Sequence, residues 1–160
     1  MKKSILFSLL GLILCLGTWA QMPEKGKFYR IKNARYGSVM NENWGVGTVN
    51  CVGQNKDYNQ LWQYTEQGAL QNVYTGKYIQ NQPYISTVFT TGTNVQVVSF
   101  TKQSDGHLGI NTNGNQMHCD AGQNVVRWQD NDNEANHWIV EEVALTQEEV
   151  DAARAEYNNL

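Results

Sequence analysis

Trp62, Phe100 and Trp138 fall at even intervals of 38 residues, and no other feature of the chain restricts its fold as tightly. The Gln60-Leu61-Trp62 triplet recurs in altered form as Asn136-His137-Trp138 at the same phase. Gly68 and Gly106, Leu70 and Leu108, Gly76 and Gly114, Ile79 and Met117, and Val88 and Val126 keep the same interval. Gly37 stands 39 residues before Gly76, as expected if a surface loop of the first unit gained a residue. The chain therefore reads as three units, residues 26–67, 68–105 and 106–143. One such unit is too small to bury an apolar face by itself, and repetition at this period signals a repeat architecture. Three copies and no more argue for a closed object.

Inside each unit, short runs rich in Val, Ile, Tyr and Thr alternate with Gly, Asn and Asp clusters, which predicts an all-β chain of short strands. Four strands are expected per unit: residues 28–32, 38–41, 48–52 and 61–65, then 70–73, 78–80, 88–90 and 97–101, then 108–110, 116–119, 125–129 and 138–143. Period-two alternation turns Ile31, Met40, Trp62, Leu70, Ile79, Phe100, Leu108, Met117 and Trp138 inward as a shared core. Pairing the first strand with the last would close a barrel and remove the open edges. Helical periodicity enters only in the tail, residues 144–160. There Thr146-Gln147-Glu148-Glu149 forms a capping box, Leu145 and Val150 staple across it, and Val150, Ala153 and Tyr157 line one stripe. A short helix over residues 147–157 follows, either packed on the β domain or opening a linker.

The opening Phe28-Tyr29-Arg30-Ile31-Lys32-Asn33, the Gly76-Lys77-Tyr78-Ile79 step and the closing Tyr58-Asn59-Gln60-Leu61-Trp62 resemble the ricin-type β-trefoil lectins over residues 24–143. The resemblance implies a β-trefoil of three pseudo-repeats of about 38 residues. It also implies a sugar-site layout: an Asp after the second strand, an aromatic platform on the third, and an Asn-Gln pair before the closing Trp. Such a site suits a neutral ligand, because the apolar face of a pyranose stacks on the ring while side chains take its hydroxyls. The Asp position falls on Asn41, Gln80 and His118, so no unit keeps the carboxylate and its charge-assisted bonds. Asp120 lies two residues beyond His118 and could substitute if the loop shifts.

Only the third unit keeps a ring on its third strand, Trp128; the first offers Asn50 or Val52, the second Val88 or Thr90. The amide pair persists as Asn59 and Gln60 in the first unit and as Asn136 in the third, while Val97 and Val98 replace it in the second. Asn131 adds an acceptor in the loop after Trp128. The carbohydrate site is therefore expected at Trp128, His118, Asp120, Asn131 and Asn136. Trp44, Asn41, Asn59 and Gln60 are secondary candidates, although Gln60 reads better as a backbone tie within its own unit. Trp128 could equally pack beneath its own loop. Trp44, Tyr84 and Tyr58 are loop aromatics that could stack on a ligand or serve no function.

Lys2 and Lys3, the apolar run of residues 5–16 and the Thr18-Trp19-Ala20 site read as a secretory signal peptide cleaved after Ala20. The apolar run is short for a membrane span. The expected product is secreted, periplasmic or held at the cell surface. Without those two lysines, 10 of the 12 basic residues remain against 15 acidic ones, a formal charge of −5. That balance disfavours nucleic acid and anionic lipid as partners. Cys51 and Cys119 survive processing; export permits a disulfide, but they occupy different phases of the repeat, and two buried thiols is the reading taken here.

His107, His118 and His137 lack zinc-ligand spacing in sequence, no Gly-rich phosphate loop occurs, and no nucleophile has a matching base in recognisable context. The sequence reading is thus a non-catalytic, lectin-like secreted module that binds a neutral mono- or oligosaccharide weakly, with no cofactor or metal expected. The alternatives are a protein-interaction or inhibitor trefoil without sugar binding, or the targeting module of a larger secreted glycan-degrading enzyme.

Overall fold

The computed structural model describes residues 20–160, so the signal segment read at residues 1–20 lies, except for Ala20, outside the described residues. Among the described residues, no helix is long and apolar enough to cross a membrane. Within the described residues twelve strands precede one α-helix: β1 (Phe28–Asn33), β2 (Val39–Glu42), β3 (Val49–Val52), β4 (Leu61–Tyr64), β5 (Leu70–Asn72), β6 (Tyr78–Gln80), β7 (Thr90–Gly92), β8 (Ser99–Lys102), β9 (Leu108–Thr112), β10 (Asn115–Asp120), β11 (Asn124–Trp128), β12 (His137–Val143) and α1 (Gln147–Asn158). Four strands per unit is the expected number.

Six strands make the barrel. β1 pairs with β12 from Phe28↔Val143 to Asn33↔Trp138 and with β4 on its other side; β4 pairs with β5, β8 with β9, and β9 with β12. The remaining gap is bridged by Ala69↔Val97 and by Val98 N donating to Gly68 O at 2.9 Å. The other six strands form the hairpins β2–β3, β6–β7 and β10–β11, one per unit. These meet one another through Thr48↔Thr90, Val88↔Val126 and Asn50↔Asn124. This is the β-trefoil that the three-beat register implied.

The nine side chains expected to face inward are all buried in one cluster. Trp62 donates its indole Nε1–H to Met40 O at 3.1 Å, and Trp138 donates to Met117 O at 2.9 Å. Each closing Trp is thereby tied to the second strand of its own unit. Phe100 has no such donor, and it meets Tyr64 edge-on at 5.1 Å.

Units are also stitched to their predecessors. Asn33, fully buried, donates to Ala135 O at 2.9 Å and His137 O at 3.3 Å, and accepts from the N–H groups of Arg35 and Tyr36. Asn72 repeats the pattern on Asn59 O and Leu61 O, with Tyr74 N and Thr75 N as donors. The third unit has Ile110 at that phase and closes its first hairpin with Asn113-Gly114, both at positive φ, which is a type I′ turn.

Some expectations shift. The third strand of the second unit begins at Thr90 rather than Val88, because Val88 is used for the bridge to Val126. The following strand begins at Ser99, because Val97 and Val98 close the barrel gap instead. Cys51 and Cys119 are buried free thiols, and the β3–β11 bridge brings their hairpins together in one core cluster. The hydrogen bond with Cys119, then burial, pushes the Cys51 thiol far up.

Helix α1 starts with the expected capping box, Thr146 Oγ1 accepting from Glu149 N at 3.2 Å and Glu149 Oε2 accepting from Thr146 N at 2.7 Å. It packs on the trefoil rather than projecting from it. Val150 and Ala153 are buried against Phe28, Leu61, Val73 and Tyr74, with Leu145 and Tyr157 at the margin.

Trp62→Ala is expected to cost about 3–5 kcal/mol, from the lost transfer of the indole and the cavity it leaves. Urea unfolding followed by circular dichroism measures it; a cost below about 1 kcal/mol would mean the closing Trp is not a core element.

Candidate functional site

The third unit gathers polar groups around a ring. On the β10–β11 hairpin, His118 lies opposite Val126 and Trp128 opposite Gln116, which makes His118 and Trp128 diagonal neighbours. Their rings stack at 4.9 Å between centroids with 25° between planes. His118 is only 8% exposed, whereas Trp128 is half-buried. One indole face is thus occupied by the imidazole, and what water reaches lies elsewhere on the ring.

Asn136 holds the arrangement from behind. It is fully buried at the end of a single 3₁₀ turn, Glu134–Asn136, whose N-cap Asn133 accepts from Ala135 N at 3.0 Å. Asn136 Oδ1 faces His118 Nδ1 at 2.7 Å, while its Nδ2 donates to Gln129 O, Asn131 O and Asn131 Oδ1 at 2.9–3.2 Å. Because the amide oxygen accepts, His118 Nδ1 carries the proton and Nε2 is left as an acceptor in the neutral ring. Asn131 is engaged in fixing Asn136. Asp120 stands exposed at the hairpin rim, where its carbonyl accepts from Gln123 N at 2.9 Å across a turn through Ala121 and Gly122. The fold therefore brings Trp128, His118, Asn136 and Asn131 into one bonded set and leaves Asp120 at its edge.

The first unit has the same scaffold without a ring. Asn41 Nδ2 donates to Asn50 Oδ1 at 2.7 Å, and Asn59 Nδ2 donates to Glu42 O at 3.0 Å. Gln60, fully buried, donates to Gly53 O and accepts from Asn55 N, both at 2.9 Å, as a tie within its own unit. Glu42 is buried too, and its carboxylate accepts from Gly45 N at 2.7 Å and Gly47 N at 3.1 Å. This pins the 43–48 loop and holds Trp44, at φ 48°, outward with 56% of its surface exposed. Trp44 meets Tyr74 edge-on at 5.8 Å, and Tyr74 in turn meets Tyr157 of α1 at 5.4 Å. In the second unit Gln80 Nε2 donates to Tyr78 O and Asn94 O, and Tyr84 is exposed on its loop.

A second polar cluster was not legible from spacing. Asp105 Oδ2 lies 2.8 Å from His107 Nδ1 and 2.7 Å from His137 Nδ1, and His137 Nε2 lies 3.2 Å from Asp132 Oδ1. Burial works to raise the Asp105 carboxyl, but the bonds from His107 and His137 outweigh it and hold the group down at about 2. The Asp105-Gly106-His107 turn is visible in sequence, while its partner His137 stands 30 residues on, just after Asn136.

Asn136→Ala is expected to destabilise the protein by about 1–3 kcal/mol, since it strands buried partners. Asp120→Ala, at the rim, is expected to change stability by less than ~0.5 kcal/mol. Thermal melts of the two variants check the contrast, and equal melting points would contradict it.

No family model matches the chain, and no curated protein matches it in sequence. Solved structures do match in shape. A ricin B-like lectin of Macrolepiota procera, solved with lactose, superposes with a TM-score of 0.70 at 15% identity, covering 77% of this chain and 100% of that one. The designed threefold-symmetric protein ThreeFoil gives 0.65 at 14%, covering 72% and 99%. The C-terminal half of the earthworm R-type lectin, solved with GalNAc, gives 0.58 at 19%, covering 73% and 99%. The three-unit barrel, its hairpin cap and these likenesses together give this chain the β-trefoil fold of the ricin-type lectins.

Proposed function

We propose that this protein is a non-catalytic carbohydrate-binding module with one neutral-sugar site, in the third unit, exported by its N-terminal segment. The observation that carries the reading is the half-exposed Trp128 ring stacked on a His118 that is itself fixed by Asn136. A rigid ring edged by a fixed hydrogen-bonding group suits a ligand with one apolar face and several hydroxyls. The lactose and GalNAc in two of the similar structures support the ligand class. The first unit has no ring at Asn50 or Val52, and the second has neither a ring at Val88 or Thr90 nor an amide pair, so one site per chain is expected. With no carboxylate at the Asp position and little area to bury, affinity is about millimolar.

A second reading rests on the second unit, where Tyr84, Ile85, Val95 and Val97 are exposed and apolar. They suit contact with an exported protein partner better than contact with a sugar.

Titration calorimetry with lactose and GalNAc, preceded by a glycan array, tests the first reading. Wild-type and Asn41→Ala proteins are expected to bind alike, while Trp128→Ala loses detectable binding. A Trp128→Ala protein that binds as wild type removes the site, and a blank array with a protein recovered through Tyr84 and Val97 favours the second reading.

A further inference from the structure

We propose that Asp105, His107 and His137 form a binding site for a divalent transition-metal ion of the zinc type, backed by Asp132. The three candidate ligand atoms lie within 4.8 Å of one another, and two imidazole nitrogens converge on one carboxylate oxygen. His137 is only 3% exposed, and its backbone is anchored by Asn33 Nδ2 and Ala34 N, both donating to His137 O. Asp105 is exposed and His107 half-buried, so one side of the cluster opens to solvent.

The donor count around His137 favours a cation. A neutral imidazole has one N–H and one lone pair. Here each ring nitrogen faces a carboxylate, Nδ1 that of Asp105 at 2.7 Å and Nε2 that of Asp132 at 3.2 Å. In the neutral ring one of the two contacts sets a lone pair against an anion, whereas an imidazolium donating to both would bury its charge with the 3% exposed ring. Buried Nε2 makes no well-aligned hydrogen bond, so the mismatch is visible in the geometry. A metal ion on Nδ1 takes that lone pair, leaves the proton on Nε2 for Asp132, and balances the two carboxylate charges. The result is a carboxylate–histidine–metal relay, in which the outer carboxylate sets the tautomer and the ring orientation. Asp132 is itself held by Ser104 Oγ at 2.7 and 2.8 Å.

Two imidazoles and one carboxylate suit zinc and its neighbours rather than calcium or magnesium, which prefer all-oxygen sites. Bonds of about 2.0–2.1 Å at tetrahedral angles put ligand atoms roughly 3.3 Å apart. The Asp105 contacts must therefore open by about half an ångström, which its exposed turn allows, and water fills the fourth position. The site shares the 131–137 segment with Trp128 but needs none of its sugar chemistry.

The test is zinc titration of the untagged, EDTA-stripped protein by calorimetry, with Co²⁺ absorption as a second readout. Wild type is expected to take up one Zn²⁺ per chain and to show the visible bands of four-coordinate Co²⁺, with no Ca²⁺ uptake. His107→Ala and Asp105→Asn, both at accessible positions, should lose that uptake while keeping the wild-type circular dichroism spectrum. Asp132→Asn should weaken binding by about 10–100-fold. No zinc uptake by wild type, or uptake that both His107→Ala and Asp105→Asn retain, would overturn the proposal.

Discussion

The indole N–H groups of Trp62 and Trp138 join the barrel to its cap. Each ring fills the core, and its nitrogen donates to the carbonyl of a methionine on the second strand of its unit, Met40 at 3.1 Å and Met117 at 2.9 Å. Packing alone tolerates exchange among apolar side chains of similar volume, but a buried N–H must meet an acceptor in one place. The bond therefore fixes where each hairpin sits against the barrel strand that closes its unit. In the second unit Phe100 keeps an aromatic ring in the core and drops the donor. That is also the unit whose amide pair is replaced by valines.

From this frame the three units diverge in what they expose. The third carries a ring on its cap hairpin and a buried asparagine beneath it, so the 3₁₀ turn before Trp138 organises Trp128 and His118 from within. The first likewise bonds its amides to one another and to the backbone, but it has no ring on its cap hairpin, and its exposed Trp44 meets Tyr74, which in turn meets Tyr157 of α1. The second presents apolar loop side chains. One architecture thus offers three chemically different edges, which is how function is grafted onto a shared fold.

Much of the architecture was legible because it repeats. A side chain that recurs at a fixed interval, such as Leu70 and Leu108, announces a common environment. The capping box of α1 was legible because its physics is local to Thr146 and Glu149. The grouping of the candidate site was legible in part: Trp128, His118 and Asn136 come from the repeat phase, and the Asn131 tether from proximity in sequence. Asn33 and Asn72 went unread although each precedes a glycine by four residues, because their partners lie on the turn of another unit. The nearness of Cys51 to Cys119 was hidden for a like reason, as it depends on how hairpins of different units meet. The Asp105, His107 and His137 convergence follows from the β9–β12 pairing, which places Gly109 opposite His137, and no spacing rule within one segment could supply it.

The indoles of Trp62 and Trp138 build the frame, and that of Trp128 is the one proposed to meet a ligand. Two-dimensional ¹H–¹⁵N NMR of the indole N–H resonances during a lactose titration tests this division of roles most directly. Slow hydrogen exchange is expected for Trp62 and Trp138, together with a sugar-dependent shift at Trp128 and no movement of Trp44. Rapid exchange at Trp62 and Trp138, or a titration that moves Trp44 and leaves Trp128 in place, would contradict it.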